Sequence, residues 1–174
     1  NDSAADIKIL IIGSGFDEAE IISRGGPAFF ELNSKTFTGQ SQETDTDTYH
    51  GTFSFRTIYT FAPGAKYYFA KIEVDVSGDV ANADYLLDAL EWGRTLDAGA
   101  GVDIINISLN YSDSGPTTLT QVNIEAIRAS INSMPTTVVV CSAENDILPE
   151  ALNTVSGAFV VGDMATRGDY TDIV

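Results

Sequence analysis

Residues 7–17 read IKILIIGSGFD, a run of β-branched residues and Leu that enters a glycine turn at Gly13-Ser14-Gly15. A strand that is apolar throughout, with no alternation, is one covered on both faces, as in a parallel sheet with helices packed on either side. Similar runs recur at Ala28 to Leu32, Lys66 to Ile72, Val102 to Leu109, Thr136 to Cys141 and Ala158 to Val161. Together with Ile7 to Ile12 they predict a mostly parallel sheet of about six strands in a three-layer α/β/α architecture. Between the third and fourth runs, ANADYLLDALEWGRTLDAG (81–99) sets Ala83, Leu86, Leu87, Leu90 and Leu96 at helical spacing, with Gly99 as the stop. TLTQVNIEAIRASINS (118–133) repeats the pattern with Val122, Ile124, Ile127 and Ile131, and reads as the crossover helix to the fifth strand.

The chain has 174 residues, 44% of them hydrophobic and 10% aromatic, which suits a single domain over residues 1–174 with a proper core. Nine Lys and Arg stand against 25 Asp and Glu, for a formal charge of -16. Such a surface repels phosphate backbones and anionic headgroups, so neither nucleic acid nor a membrane surface is an expected partner. It is a strongly solvated surface that suits a secreted or extracellular setting. Cys141 is the only cysteine, which excludes an internal disulfide and a cysteine zinc cluster. No apolar run is long enough to span a bilayer, and NDSAAD (1–6) lacks the basic and apolar regions of a signal peptide. An export signal is expected to have been removed or to lie outside these residues.

The polar segment FTGQSQETDTDTYHG (37–51) reads as a surface loop leading to His50. Its Asp45 and Asp47 offer two carboxylates at calcium-ligand spacing, but without a turn glycine and further oxygen ligands a solvated loop is the simpler reading. No other cofactor is implied. The turn at residues 13–15 admits a dinucleotide reading, with Gly13 and Gly15 in place and Glu31 at the end of the second run to accept from a ribose hydroxyl. Against it, Glu18 stands where the third glycine belongs, and Asp17, Glu18 and Glu20 put negative charge where a pyrophosphate sits. Cys141, closing the strand in TTVVVCSAEND (136–146), resembles the nucleophilic cysteine of amidotransferase-like α/β proteins. Glu144-Asn145 so soon after it and the distance to His50 in sequence favour a buried, inert thiol.

Read in order, several segments together resemble the subtilisin-like serine proteases. ILIIGSGFD (9–17) resembles the strand and turn that carry the family's catalytic acid, and HGTF (50–53) with Thr57 its His-Gly-Thr-His helix start. FAPGAKYYFAKI (61–72), LLDALEWGRTLDAGAGVDIINISLN (86–110), TTVVVCSAEND and GAFVVGDMATRGDYTDIV (157–174) resemble the segments that follow. The resemblance implies a subtilisin-like fold and a Ser-His-Asp chemistry in which His50 is the general base and Asn145 the oxyanion donor. The acid position falls on Gly13, which has no side chain. The Gly-Thr-Ser-Met-Ala motif of the nucleophile does not occur in these residues, and Ser156 in TVSGAF reads as a turn residue. Phe53 replaces the motif's second His, and Phe55-Arg56 replaces a small pair, which is expected to crowd a closely buried helix.

Asp17 matches the family's second Asp and is expected to cap the turn. Asp17 or Asp47 would otherwise have to stand in for the missing acid beside His50. The resemblance places Ser108, Leu109 and Asn110 where family members receive substrate as an added strand, and main-chain recognition of that kind needs no triad. The expected function is therefore an inactive subtilase-like domain that binds peptide or protein, or serves as a structural module. The alternatives are the N-terminal portion of a longer or split serine endopeptidase and a Rossmann-like nucleotide-binding domain. Apolar surface beside the sixth strand is expected to be covered by self-association or a partner chain.

Overall fold

The computed structural model describes residues 5–27, 33–37, 50–72, 74, 80, 82–109, 120–142 and 158–161. Strands β1 (Lys8–Gly13), β2 (Ser34–Thr36), β3 (Lys66–Lys71), β4 (Ile104–Ile107), β5 (Val138–Ser142) and β6 (Ala158–Val161) form one sheet in the order β2-β3-β1-β4-β5-β6. Every pairing is parallel, with Ile11 of β1 opposite Phe69 of β3 and Asn106 of β4. Helices α1 (Glu18–Ser23), α2 (His50–Phe61), α3 (Ala83–Gly99) and α4 (Gln121–Asn132) supply the covering layers.

The continuous apolar run of β1 is used on both faces. Leu10 and Ile12 join a cluster with Leu86 and Leu90 of α3 and Ile127 and Ile131 of α4. Ile9 and Ile11 join another with Phe16, Ile21 of α1 and Phe55 of α2. This is the three-layer α/β/α arrangement that unalternated strands imply. Gly93 brings α3 down onto β1, since a Cβ there would stand 2.7 Å from Leu10 Cδ2.

Several sequence expectations shift in detail. Residues 28–32, read as the second strand, lie outside the described residues; the second described strand is the short polar segment Ser34–Thr36. Val122 is 74% exposed, so the buried stripe of α4 rests on Ile127 and Ile131. Phe55 does not crowd α2. It is fully buried and packs edge-on against Tyr67 and Phe69, at centroid distances of 5.1 and 5.6 Å. Arg56 points outward to Glu20, 3.3 Å away.

The stop of α3 comes earlier than Gly99. Helical geometry breaks at Leu96, and Asp97 and Ala98 take left-handed conformations at φ 53° and 58° before Gly99 at φ 90°. For a residue with a Cβ this conformation costs about 1–2 kcal/mol. Asp97 offsets part of that by tying the turn to the sheet. Its carboxylate accepts from Lys66 Nζ at 2.8 Å and Tyr68 Oη at 3.2 Å, with Lys8 Nζ at 3.6 Å. The hydrogen bond from Lys66 holds the Asp97 carboxyl below its usual range. A depressed carboxylate stabilises above its unfolded pKa and loses that contribution as pH falls, so this anchor weakens only in acid. Ala98 has no such compensation. Ala98→Gly is expected to raise stability by about 0.5–1 kcal/mol, the relief of left-handed strain exceeding the entropy gained by the unfolded chain. Chemical denaturation of the two proteins reads this directly.

Candidate functional site

The carboxyl ends of parallel strands are where open α/β sheets place their sites, at the points where connections diverge to opposite faces. β1 ends there at Gly13. The turn that follows is closed by Asp17, which caps α1: its Oδ1 accepts from the Glu20 amide at 2.9 Å. The Asp17 amide in turn donates to Thr52 Oγ1 at 2.8 Å, and Thr52 is 1% exposed. Thr52 therefore couples the first turn of α2 to the β1 turn. Asp17 acts as the expected cap, and its carboxylate is engaged on α1.

Gly51 makes the contact between these segments possible. A Cβ on Gly51 would stand 2.2 Å from the Gly15 carbonyl oxygen and 2.8 Å from a ring carbon of Phe16. A Cβ on Gly13 would lie 3.1 Å from Gly51 Cα. The backbones thus meet face to face, and the amino end of α2 covers the glycine turn. That covering takes up the approach a pyrophosphate would need; Glu31, the ribose acceptor of the dinucleotide reading, lies outside the described residues.

His50 opens α2 immediately before Gly51. Its Nδ1 is buried and has no hydrogen-bond partner among the described residues. A buried polar atom left unsatisfied costs about 1–3 kcal/mol, so such atoms mark places where a partner has been lost or a ligand is received. Gly13, on which Gly51 packs, offers no side-chain acceptor, and its carbonyl accepts from the Ile72 amide at 2.9 Å. Phe53, one turn into the helix, is 63% exposed and takes no part.

Across the sheet, Ile107 is the last paired residue of β4, opposite Cys141 of β5. Ser108 and Leu109 continue beyond the ladder. Ser108 Oγ accepts from Asn106 Nδ2 at 2.9 Å, and Leu109 is 3% exposed, so the segment is anchored on its inner side. Asn110, Asn145, Asp45, Asp47 and Ser156 lie outside the described residues. The structure brings Gly13, His50 and Asp17 to one end of the sheet with Ser108 and Leu109.

Cys141 is 2% exposed, and burial pushes its thiol up to about 11. It is a protonated core group, as the inert reading expects. The sequence reading missed a second concavity, a groove between α3 and β2 lined by Phe37, Tyr85, Asp88 and Trp92 among others. The signal was present: Tyr85, Asp88 and Trp92 are spaced i, i+3, i+7, a second stripe on α3 beside the one that builds the core.

No known family profile and no curated protein sequence matches the chain. Solved structures do. A lanthipeptide protease superposes at a TM-score of 0.67 with 18% identity, over 94% of this chain and 50% of its own. A subtilase cytotoxin SubAB structure superposes at 0.59 with 16% identity, over 92% of this chain and 55% of its own. The chain thus spans about half the length of these structures, and at such identity the likeness is one of fold. The α/β architecture is shared with these two proteins.

Two outcomes test this geometry. Gly51→Ala is expected to destabilise by about 3 kcal/mol, because the new methyl meets a backbone oxygen that cannot move aside alone. Cys141 is expected to resist iodoacetamide at pH 8 in the folded protein and to react on unfolding, followed by intact mass. Because its folded pKa lies above the unfolded value, the folded state holds the proton longer, and stability should decline as pH rises from about 8.5 toward 11.

Proposed function

We propose that the chain is a catalytically inactive subtilase-like domain that binds an extended segment of a peptide or protein alongside Ser108 and Leu109. The observation that carries this reading is the buried Nδ1 of His50, without a partner among the described residues and one residue before Gly51, which packs on Gly13. In Ser-His-Asp chemistry the acid accepts from this nitrogen, fixes the tautomer and stabilises the imidazolium; substituting it by an amide in a known protease lowers turnover by about 10⁴-fold. Thr52 and Gly51 lock α2 to the turn, as a scaffold for such a histidine requires, while Gly13 has no side chain and no acceptor for Nδ1 stands among the described residues. Recognition does not depend on that acceptor. Main-chain groups past the end of the β4 ladder would pair with the incoming strand; the buried Leu109 and the Asn106–Ser108 hydrogen bond, which anchor that segment, support this.

A second reading is supported by the extent of the fold match: the chain covers 50% and 55% of the two solved structures. It is that these residues are the N-terminal portion of a longer or split serine endopeptidase. Gly13 would still leave its histidine without an acid.

Exposure to a fluorophosphonate, followed by intact mass with a heat-unfolded control, is expected to give no fold-dependent adduct. A single adduct lost on unfolding would overturn the inactive reading. Titration with an alanine-rich tetrapeptide capped at both ends is expected to perturb the amide resonances of Ser108 and Leu109 ahead of those of α4. Unperturbed amides at saturating peptide would contradict binding there. β6 ends the sheet and pairs only with β5 among the described residues, so we also propose a partner chain or second copy along that edge. Light scattering that shows a monomer across a wide concentration range would count against a second copy.

A further inference from the structure

The groove between α3 and the edge strand β2 has a volume of about 560 Å³ and lies three strands from β4, so its use is independent of the reading above. Its floor is aromatic. Trp92 sits with its ring centroid 6.1 Å from Phe37 and 6.3 Å from Tyr68, and Tyr85 lines the same wall. Its charged lining is two carboxylates, Asp88 and Glu91, and one cation, Lys35. Arg94 neutralises Glu91 through two hydrogen bonds, one of them 2.7 Å. Asp88 is exposed and has no ion-pair partner among the described residues. The groove already shows which chemistry its rings accept: Lys35 Nζ stands 4.9 Å from the Phe37 ring centroid.

We propose that this groove binds a basic segment of a partner protein, taking an Arg or Lys side chain against Trp92 with its charge on Asp88. Aromatic faces attract cations, and a planar guanidinium both stacks on an indole and forms paired hydrogen bonds to a carboxylate. Charge selects the same partner class, since a chain of net charge -16 repels acidic segments and draws basic ones. What marks the groove is Asp88, exposed and without an ion-pair partner among the described residues, next to rings that meet tilted and edge-on.

Trp92 is the only tryptophan, so its emission reports the groove alone. Tri-arginine amide titrated into the intact chain is expected to change that emission saturably, with triglutamate without effect. By calorimetry, Asp88→Asn should weaken tri-arginine binding about fivefold and Trp92→Phe should weaken it as well, the order expected for one partly exposed charge or ring contact. Glu125→Gln, an equal charge change on α4, should leave it unaltered. Equal weakening by Asp88→Asn and Glu125→Gln would mean diffuse attraction to an acidic surface and would overturn the proposal. Binding without any change in Trp92 emission would overturn it too. Asp88 is exposed, so its variant folds and the test stands even if Trp92→Phe loosens the core.

Discussion

The contact on which this structure turns is the one between two backbones, where Gly51 at the start of α2 meets Gly15 in the turn after β1. A methyl at Gly51 would fall 2.2 Å from a carbonyl oxygen, so the helix docks at this depth only because the side chain is absent. Thr52 then reaches the Asp17 amide, Asp17 caps α1, and Phe55 is carried into the aromatic cluster under the helix. The docking depth sets where His50 stands, one residue before Gly51, which packs on Gly13. Position and chemistry are therefore separable: the contacts that locate the start of α2 are in place, while among the described residues no group bonds the buried Nδ1.

That separation has an energetic logic. A buried nitrogen without a partner is a standing cost, tolerated here because the surrounding contacts are many and apolar. Phe16 and Phe69 meet edge to face at 5.1 Å beneath the turn, and both are fully buried. They support the turn whether or not the histidine works. A domain that keeps such a scaffold retains the shape of its strand ends, on which the proposed binding of an extended chain rests.

Much of the fold was legible in the residues. The unalternated runs of β1, β3, β4, β5 and β6 gave parallel strands, and the 3.6-residue spacing of Leu86, Leu90, Ile127 and Ile131 gave the helices that cover them. What was not legible depends on tertiary partners. The end of α3 was assigned to Gly99, whereas Asp97 leaves the helix first because three side chains from β1 and β3 hold its carboxylate. Phe55 was read as too large because a periodicity cannot show the ring pocket made by Tyr67 and Phe69. Val122 fits a helical stripe yet faces solvent, since spacing defines a face only to within about a residue. For the site, Gly13, His50 and Asp17 are readable as a group through resemblance to a protease family, but the burial of Nδ1 without a partner among the described residues needs coordinates. The groove at Trp92 was passed over because the buried stripe of α3 accounted for its apolar residues first.

His50 is the only histidine, so nitrogen and proton NMR of the imidazole tests the central claim without ambiguity of assignment. The native protein is expected to show no protected low-field proton on Nδ1, and Gly13→Asp, whose Cβ needs only a few tenths of an ångström of give against Gly51, is expected to create one. A protected low-field Nδ1 proton already present in the native protein would mean that another acceptor holds the ring, and would contradict the account.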